Sequence, residues 1–162
     1  MLVNFEELPD DSRIWIYQSD RAFTPEEVKR IRELADAFVT QWTAHGASLK
    51  AGYVMPYDRF IVLGLDQSEA SASGCSIDAS VHFIQNLEKE FDLDLLDKMN
   101  VTFKQGNYIS YKPLLDFKKM AKARAISGKT IVFNNLVNTK SEYLEHWEVP
   151  ASESWHNLII KE

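Results

Sequence analysis

The stretch that most constrains the fold is the nearly continuous apolar run between Arg59 and Asp66, Phe-Ile-Val-Leu-Gly-Leu. A short apolar run without polar alternation is typical of a strand that is buried on both faces. Pro56-Tyr57-Asp58 predicts a turn directly before it, and residues 48–55 predict a partner strand. Because such a strand needs neighbours and cover on both faces, the sequence predicts a sheet with helices packed on it.

Local patterns predict the other elements. Residues 13–18 alternate and predict a first strand. Thr24-Pro25-Glu26-Glu27 combines a helix cap, a proline suited to the first turn and a capping-box glutamate, so a helix begins there, and Gly46 is its predicted stop. The remaining predictions are a helix over 76–91, a strand region over 100–112 broken near Gln105-Gly106-Asn107, a helix from Pro113 to Ile126, a strand over 130–135, and a tail over 139–155 with a short helix and irregular chain.

The predicted order is β-α-β-β-α-β, followed by a helix and a strand. The first six elements match the split βαβ pattern of ferredoxin-like folds. We therefore predict a single globular α+β domain over residues 1–162, with a mainly antiparallel sheet. The aromatic tail around Trp147 and Trp155 is predicted to pack back over this domain, and the alternative is that it docks on a partner.

Composition narrows the class of protein. Hydrophobic residues make up 45% of the 162 residues, which is typical of a globular chain, and no apolar run approaches the length of a membrane span. The N-terminus lacks the pattern of a secretory signal, and one cysteine allows no internal disulfide, so the predicted location is the cytoplasm. His45, His82, His146 and His156 show no metal-ligand spacing, so we predict neither a metal nor a cofactor.

The single cysteine, Cys75, gives the sharpest chemical hypothesis. It lies in Ser73-Gly-Cys-Ser-Ile-Asp at the predicted start of a helix, where unpaired N–H groups and the helix dipole favour a reactive thiolate. His45 is the candidate base, and Asp66 or Asp78 is the candidate residue that orients this histidine. The alternative is that Cys75 is a small hydrophobic residue of the core, because free cysteine is among the most buried residue types.

Charge is distributed unevenly along the chain. The segment from Lys104 to Lys129 holds seven basic residues and one acidic residue, a net charge of +6, whereas the rest of the chain carries −12. Within this segment, the predicted helix offers an anion-binding or phosphate-binding face formed by Lys118, Lys119, Lys122 and Arg124. The alternative is a solvated helix face, and a pI of about 5.3 argues against general nucleic-acid binding.

The sequence lacks two familiar patterns, one for nucleotide binding and one for RNA binding. Residues 123–130 resemble a phosphate-binding loop, but Ala123 occupies its first glycine position, and a predicted helix precedes the segment where a strand is required. Residues 59–64 lack the glycine–aromatic signature of an RNA-recognition motif.

Four stretches resemble a family of small, uncharacterised bacterial proteins of about this length. They are Arg13-Ile-Trp-Ile-Tyr-Gln-Ser, Gln41-Trp-Thr-Ala-His-Gly, Ser73-Gly-Cys-Ser-Ile-Asp-Ala-Ser and Val132-Phe-Asn-Asn-Leu-Val-Asn-Thr-Lys. Some members carry the label "ABC transporter ATPase", but this chain has no true Walker A motif and no LSGGQ signature. The resemblance therefore implies a bacterial origin and transfers no catalytic residue.

The sequence as a whole predicts a small binding or accessory module for a protein partner or a small ligand. A thiol-dependent enzyme that uses Cys75 with His45 is the first alternative, and an anion binder that uses the helix face from Lys118 to Arg124 is the second.

Overall fold

The structure is a computed structural model, and it describes residues 1–161. In chain order its elements are β1 (Arg13–Gln18), α1 (Pro25–Gln41), β2 (Thr43–Ala44), β3 (Ala47–Ser48), β4 (Lys50–Val54), β5 (Phe60–Asp66), α2 (Gly74–Phe91), β6 (Asn100–Gln105), β7 (Tyr108–Pro113), α3 (Leu114–Lys122), β8 (Ile131–Phe133), α4 (Lys140–His146), β9 (Glu148–Pro150) and α5 (Asn157–Ile160). Short 3-10 turns cover Phe5–Glu7, Pro56–Asp58 and Ala151–Glu153. The predicted α+β class with antiparallel sheets is confirmed.

These elements fall into two compact units. The first contains residues 1–96 and 138–141, and the second contains residues 97–137 and 142–161. The single globular domain over residues 1–162 stays a prediction.

The sheet of the first unit is built around β5, as the apolar run predicts. Its strand order is β1-β5-β4, and both strand pairs are antiparallel. All seven residues of β5 are buried. The predicted hairpin is also confirmed, because β4 and β5 are joined by the 3-10 turn at residues 56–58.

The two long helices of this unit begin at side-chain caps. The Thr24 hydroxyl accepts a hydrogen bond from the Glu27 N–H, and the Glu27 carboxylate accepts one from the Thr24 N–H, as the capping box predicts. Ser73 and Ser76 form the same reciprocal pair at the start of α2. Capping fixes where each helix begins, and it therefore fixes which residues occupy its first turn.

The N-terminal segment of residues 1–8 packs onto this sheet, an arrangement that no pattern in the sequence predicts. The Val3 N–H donates to the Ala51 carbonyl, so the segment pairs with β4. A Cβ atom at Gly52 would lie 2.6 Å from the Val3 carbonyl oxygen, and one at Gly64 would lie 2.6 Å from a Leu8 methyl carbon. Gly52 requires glycine because the backbone of the segment approaches it so closely, whereas the atoms that crowd Gly64 belong to side chains.

The second unit contains a sheet of strand order β7-β6-β8-β9, again antiparallel. The predicted break near Gly106 is a two-residue hairpin loop, in which Gly106 adopts a φ of 61°. Phe103 and Phe117 form an edge-to-face pair in the core. The tail packs back within this unit, as predicted, because β9 pairs with β8 and the Trp147 indole donates to Asn135.

Three predictions differ from the structure. The ferredoxin-like order is not confirmed, because β1 and β5 are antiparallel and β6 belongs to the other sheet. Gly46 does not end the first helix, which stops at Gln41. Instead, Gly46 lies in the tight turn between β2 and β3. The third helix ends at Lys122 rather than Ile126, since Arg124 adopts a left-handed φ of 58°.

Candidate functional site

The first unit carries a pocket that includes the single cysteine. We call it the Cys75 pocket. It has a volume of about 400 Å³ and is lined by Phe38, Gln41, Trp42, Thr43, His45, Ser73, Cys75, Ser76 and Ala79. These residues come from the end of α1, the β2–β3 hairpin and the first turns of α2. The pocket therefore depends on where the two helices end and begin.

Cys75 lies at the second position of α2 and is exposed. The Ser73–Ser76 capping box sets this position, because it starts the helix one residue before the cysteine. The alternative of a buried core cysteine is therefore wrong. The thiol is open to solvent and faces a defined pocket.

His45 reaches the same pocket from the β2–β3 hairpin. Ala44 pairs with Ala47, so His45 and Gly46 form a two-residue loop, and both have positive φ, 52° and 79° respectively. This is the geometry of a type I′ turn, which histidine adopts more readily than most residues. The structure thus brings Cys75 and His45 to one pocket, although no hydrogen bond joins them among residues 1–161.

Packed aromatic residues form one wall of the pocket. Trp42 is almost fully buried, and its indole N–H donates to the Ser76 carbonyl at 2.8 Å. The Phe38 ring packs against Trp42 at a centroid distance of 5.3 Å and stacks on Phe83 at 4.6 Å. The Trp42 hydrogen bond ties the end of α1 to the first turn of α2, so the wall and the cysteine-bearing turn are held together.

The two predicted orienting carboxylates do not line the pocket. Asp66 is buried at the end of β5, where its carboxylate accepts a hydrogen bond from the Ser68 N–H at 2.9 Å. Hydrogen bonds from the Ser68 side chain and backbone lower the pKa of Asp66 below its usual range. Asp78 is exposed on α2. The proposed Cys75–His45 pair is therefore not extended into a triad by either residue.

The predicted anion-binding residues lie in the second unit. Lys118 is partly exposed on α3, Lys119 and Lys122 are exposed, and Arg124 follows the helix and is exposed. The segment that resembles a phosphate-binding loop follows α3 and precedes β8, the reverse of the order that such a loop requires.

His156 is the one histidine that is deeply buried among the described residues. Its ring stacks on Trp155 at 3.8 Å and meets Phe117 edge-on at 5.7 Å, and its Nδ1 atom lies 2.8 Å from the Ser154 hydroxyl oxygen. Burial lowers the pKa of His156 to about 4. It is a neutral packing residue.

Two kinds of feature are absent from residues 1–161. No group of three His, Cys, Asp or Glu side chains in this part of the chain is placed to hold a metal ion. No helix within it is long and apolar enough to cross a bilayer.

No protein-family model, no curated protein sequence and no solved structure matches the chain. The resemblance to small bacterial proteins therefore stays a prediction, and functional inference depends on the geometry of the pocket.

Sequence patterns found part of this site. Cys75 and His45 were identified from residue type, whereas Gln41, Thr43 and the aromatic wall were not assigned to a site. The spacing of Phe38 and Trp42 by four residues gave only the signal of an apolar helix face.

Proposed function

We propose that this chain is a binding module for a small ligand and that the Cys75 pocket is its binding site. One observation carries the proposal: an exposed thiol and an imidazole, from separate elements, line one pocket with a packed aromatic wall.

The size and lining of the pocket support this proposal. Its volume of about 400 Å³ lies in the range of small-molecule sites. Such sites usually combine apolar and aromatic surface with a few polar groups that orient the ligand. Here Phe38 and Trp42 supply the aromatic surface, and Gln41, Thr43 and His45 supply polar groups. The lining favours a flat ligand that combines an aromatic group with several hydrogen-bonding groups.

The site would also be held in shape before a ligand arrives. Trp42 is fixed by its hydrogen bond to Ser76, and the Ser73–Ser76 capping box fixes the turn that presents Cys75. Side chains that are already ordered lose little conformational entropy on binding. This ordering before binding supports a role in ligand recognition rather than an incidental surface depression.

A thiol-dependent enzyme is the second candidate, favoured by the shared pocket of Cys75 and His45. In such a reaction the Cys75 sulfur would bond to an electrophilic carbon of the substrate while its proton passes to His45. The leaving group would then depart with that proton, and water would release the product from the sulfur. An exposed free cysteine suits a reducing compartment, so both candidates agree with the proposed cytoplasmic location.

The binding proposal is tested by nuclear magnetic resonance with a library of small aromatic fragments. We expect at least one fragment to shift the backbone amide signals of pocket residues, foremost Gln41, Thr43 and Ala79, in a saturable manner. A Gln41→Ala/Thr43→Ala variant removes polar lining without touching the aromatic wall and should weaken that fragment. Fragments that bind only elsewhere, or not at all, would refute the proposal.

The enzyme candidate is tested separately with the His45→Asn variant. Asparagine tolerates the positive φ of the turn, so the hairpin is retained while the base is removed. If His45 activates the thiol, the rate of Cys75 alkylation by iodoacetamide near neutral pH falls in this variant. Equal rates in wild type and variant would eliminate His45 as a base and leave the binding proposal intact.

A further inference from the structure

The surface of α3 has one outward face that is both basic and apolar. Leu115, Lys118, Lys119 and Lys122 follow the i, i+3, i+4, i+7 spacing, so they lie along a single face of the helix. We call this face the α3 stripe. The opposite face packs inward, with Phe117 fully buried in the core of the second unit.

No carboxylate of the described residues neutralises the stripe. None of the ion pairs within residues 1–161 includes Lys118, Lys119 or Lys122. Asp116 is the single acidic residue of the helix and makes no ion pair with Lys119 three residues later. Lys118 and Lys122 are four residues apart, where like charges destabilise a helix.

Apolar surface lies at the start of the same face. Leu115 is 69% exposed, and Met99, whose carbonyl oxygen accepts from the Leu114 N–H, is 68% exposed. The helix dipole explains why cations stand in the last turn of α3, but it does not explain exposed leucine and methionine beside its first turn. Protein-binding surfaces have apolar residues at their centre and polar groups at their rim, and exposed Leu115 and Met99 beside the lysines fit that pattern.

We infer that the α3 stripe is a docking surface for an acidic, amphipathic segment of a partner protein. Charge complementarity identifies this occupant, since three unpaired lysines call for carboxylates. The exposed Leu115 and Met99 call for apolar side chains on the same partner segment. A long polyanion such as nucleic acid is disfavoured because the chain as a whole carries a net charge of −6. This surface lies in the second unit and does not depend on the Cys75 pocket.

The test is fluorescence anisotropy with a short labelled helical peptide that places glutamates beside leucines on one face. We expect saturable binding at low salt that weakens by about tenfold in the Lys118→Gln/Lys119→Gln/Lys122→Gln variant. Glutamine keeps the helix propensity of lysine, and circular dichroism should show that the helices are retained.

Two controls separate charge from specificity. The Lys29→Gln/Lys50→Gln/Lys89→Gln variant makes the same change in net charge within the first unit and should leave the affinity within about twofold. Leu115→Ser should weaken peptide binding, because an apolar contact is lost, but would not weaken a purely phosphate-directed interaction.

Three outcomes would overturn the inference. The first is absence of peptide binding. The second is equal loss in the two triple variants, which would mean attraction by overall charge alone. The third is tighter binding of a single-stranded oligonucleotide than of the peptide with no effect of Leu115→Ser, which would assign the stripe to nucleic acid.

Discussion

Burial of His156 predicts a specific acid sensitivity of the fold. The imidazole lies between Trp155 and Phe117 and is 1% exposed. Burial lowers its pKa to about 4 from an ordinary value of 6.5. Between about pH 4 and pH 6.5 this histidine is therefore protonated in the unfolded chain but neutral in the folded chain. Its contribution to stability is fully present above pH 6.5 and falls progressively as the pH falls towards 4.

The magnitude follows from the difference between the two pKa values. By linkage, the contribution of His156 to the free energy of unfolding falls by about 2 kcal/mol between neutral pH and pH 5, and by about 3 kcal/mol by pH 4. Carboxylates also titrate over this range, so the wild-type curve alone does not isolate the histidine. The contribution of the histidine is isolated by the difference in the free energy of unfolding between wild type and a variant that cannot titrate at this position.

Urea unfolding measured at several pH values gives this difference. In His156→Phe an aromatic ring is kept and the titrating group is lost, so the free energy of unfolding should fall less steeply with acid than in wild type. His82→Gln, which removes an exposed histidine, is the matched control and should follow the wild-type curve. Parallel curves for wild type and His156→Phe would refute the assigned role of burial.

Three further predictions concern the stability of the first unit, each measured by urea unfolding at neutral pH. Gly52→Ala should destabilise by about 1–3 kcal/mol because its Cβ would meet the Val3 carbonyl oxygen, whereas Gly74→Ala, with no atom within 4 Å, should change stability by less than about 1 kcal/mol. Ser73→Ala removes the cap of α2 and should cost about 1 kcal/mol; no loss would mean that the capping box is not formed. Trp42→Phe leaves the Ser76 carbonyl without its indole partner and should cost about 1–3 kcal/mol; an unchanged stability would contradict the structural role of that hydrogen bond.

Elements with a local signal were predictable from the sequence. The capping box at Thr24, the turn residues 56–58 and the hairpin glycine Gly106 act within a few residues of themselves. The apolar run of β5 also carries its own evidence, because burial on both faces removes polar alternation.

Features that depend on distant pairing were not predictable. The assignment of β6 to a second sheet follows from its partners β7 and β8, which the β6 sequence does not specify. The strand β9 has three residues and is too short for an alternating pattern to show. The close approach of the N-terminal segment leaves only indirect marks, the glycines at positions 52 and 64.

The candidate site was likewise predictable only in part. Residue chemistry pointed to Cys75 and His45, but their shared pocket arises from two turns that are 30 residues apart in the sequence. Asp66 was grouped with them because it ends β5, yet the Ser68 hydrogen bond uses its carboxylate locally. Position along the chain did not reveal which of these side chains face the pocket.

The central claim is that the Cys75 pocket recognises a small ligand with an aromatic group, and saturation kinetics of Cys75 alkylation tests it most directly. An aromatic chloroacetamide is compared with iodoacetamide over a range of reagent concentrations, in native and denatured protein. Recognition predicts that the aromatic reagent alone shows a rate that levels off with concentration, and only in the native protein. A rate that rises linearly for both reagents would show that Cys75 is merely a surface thiol and would contradict the claim.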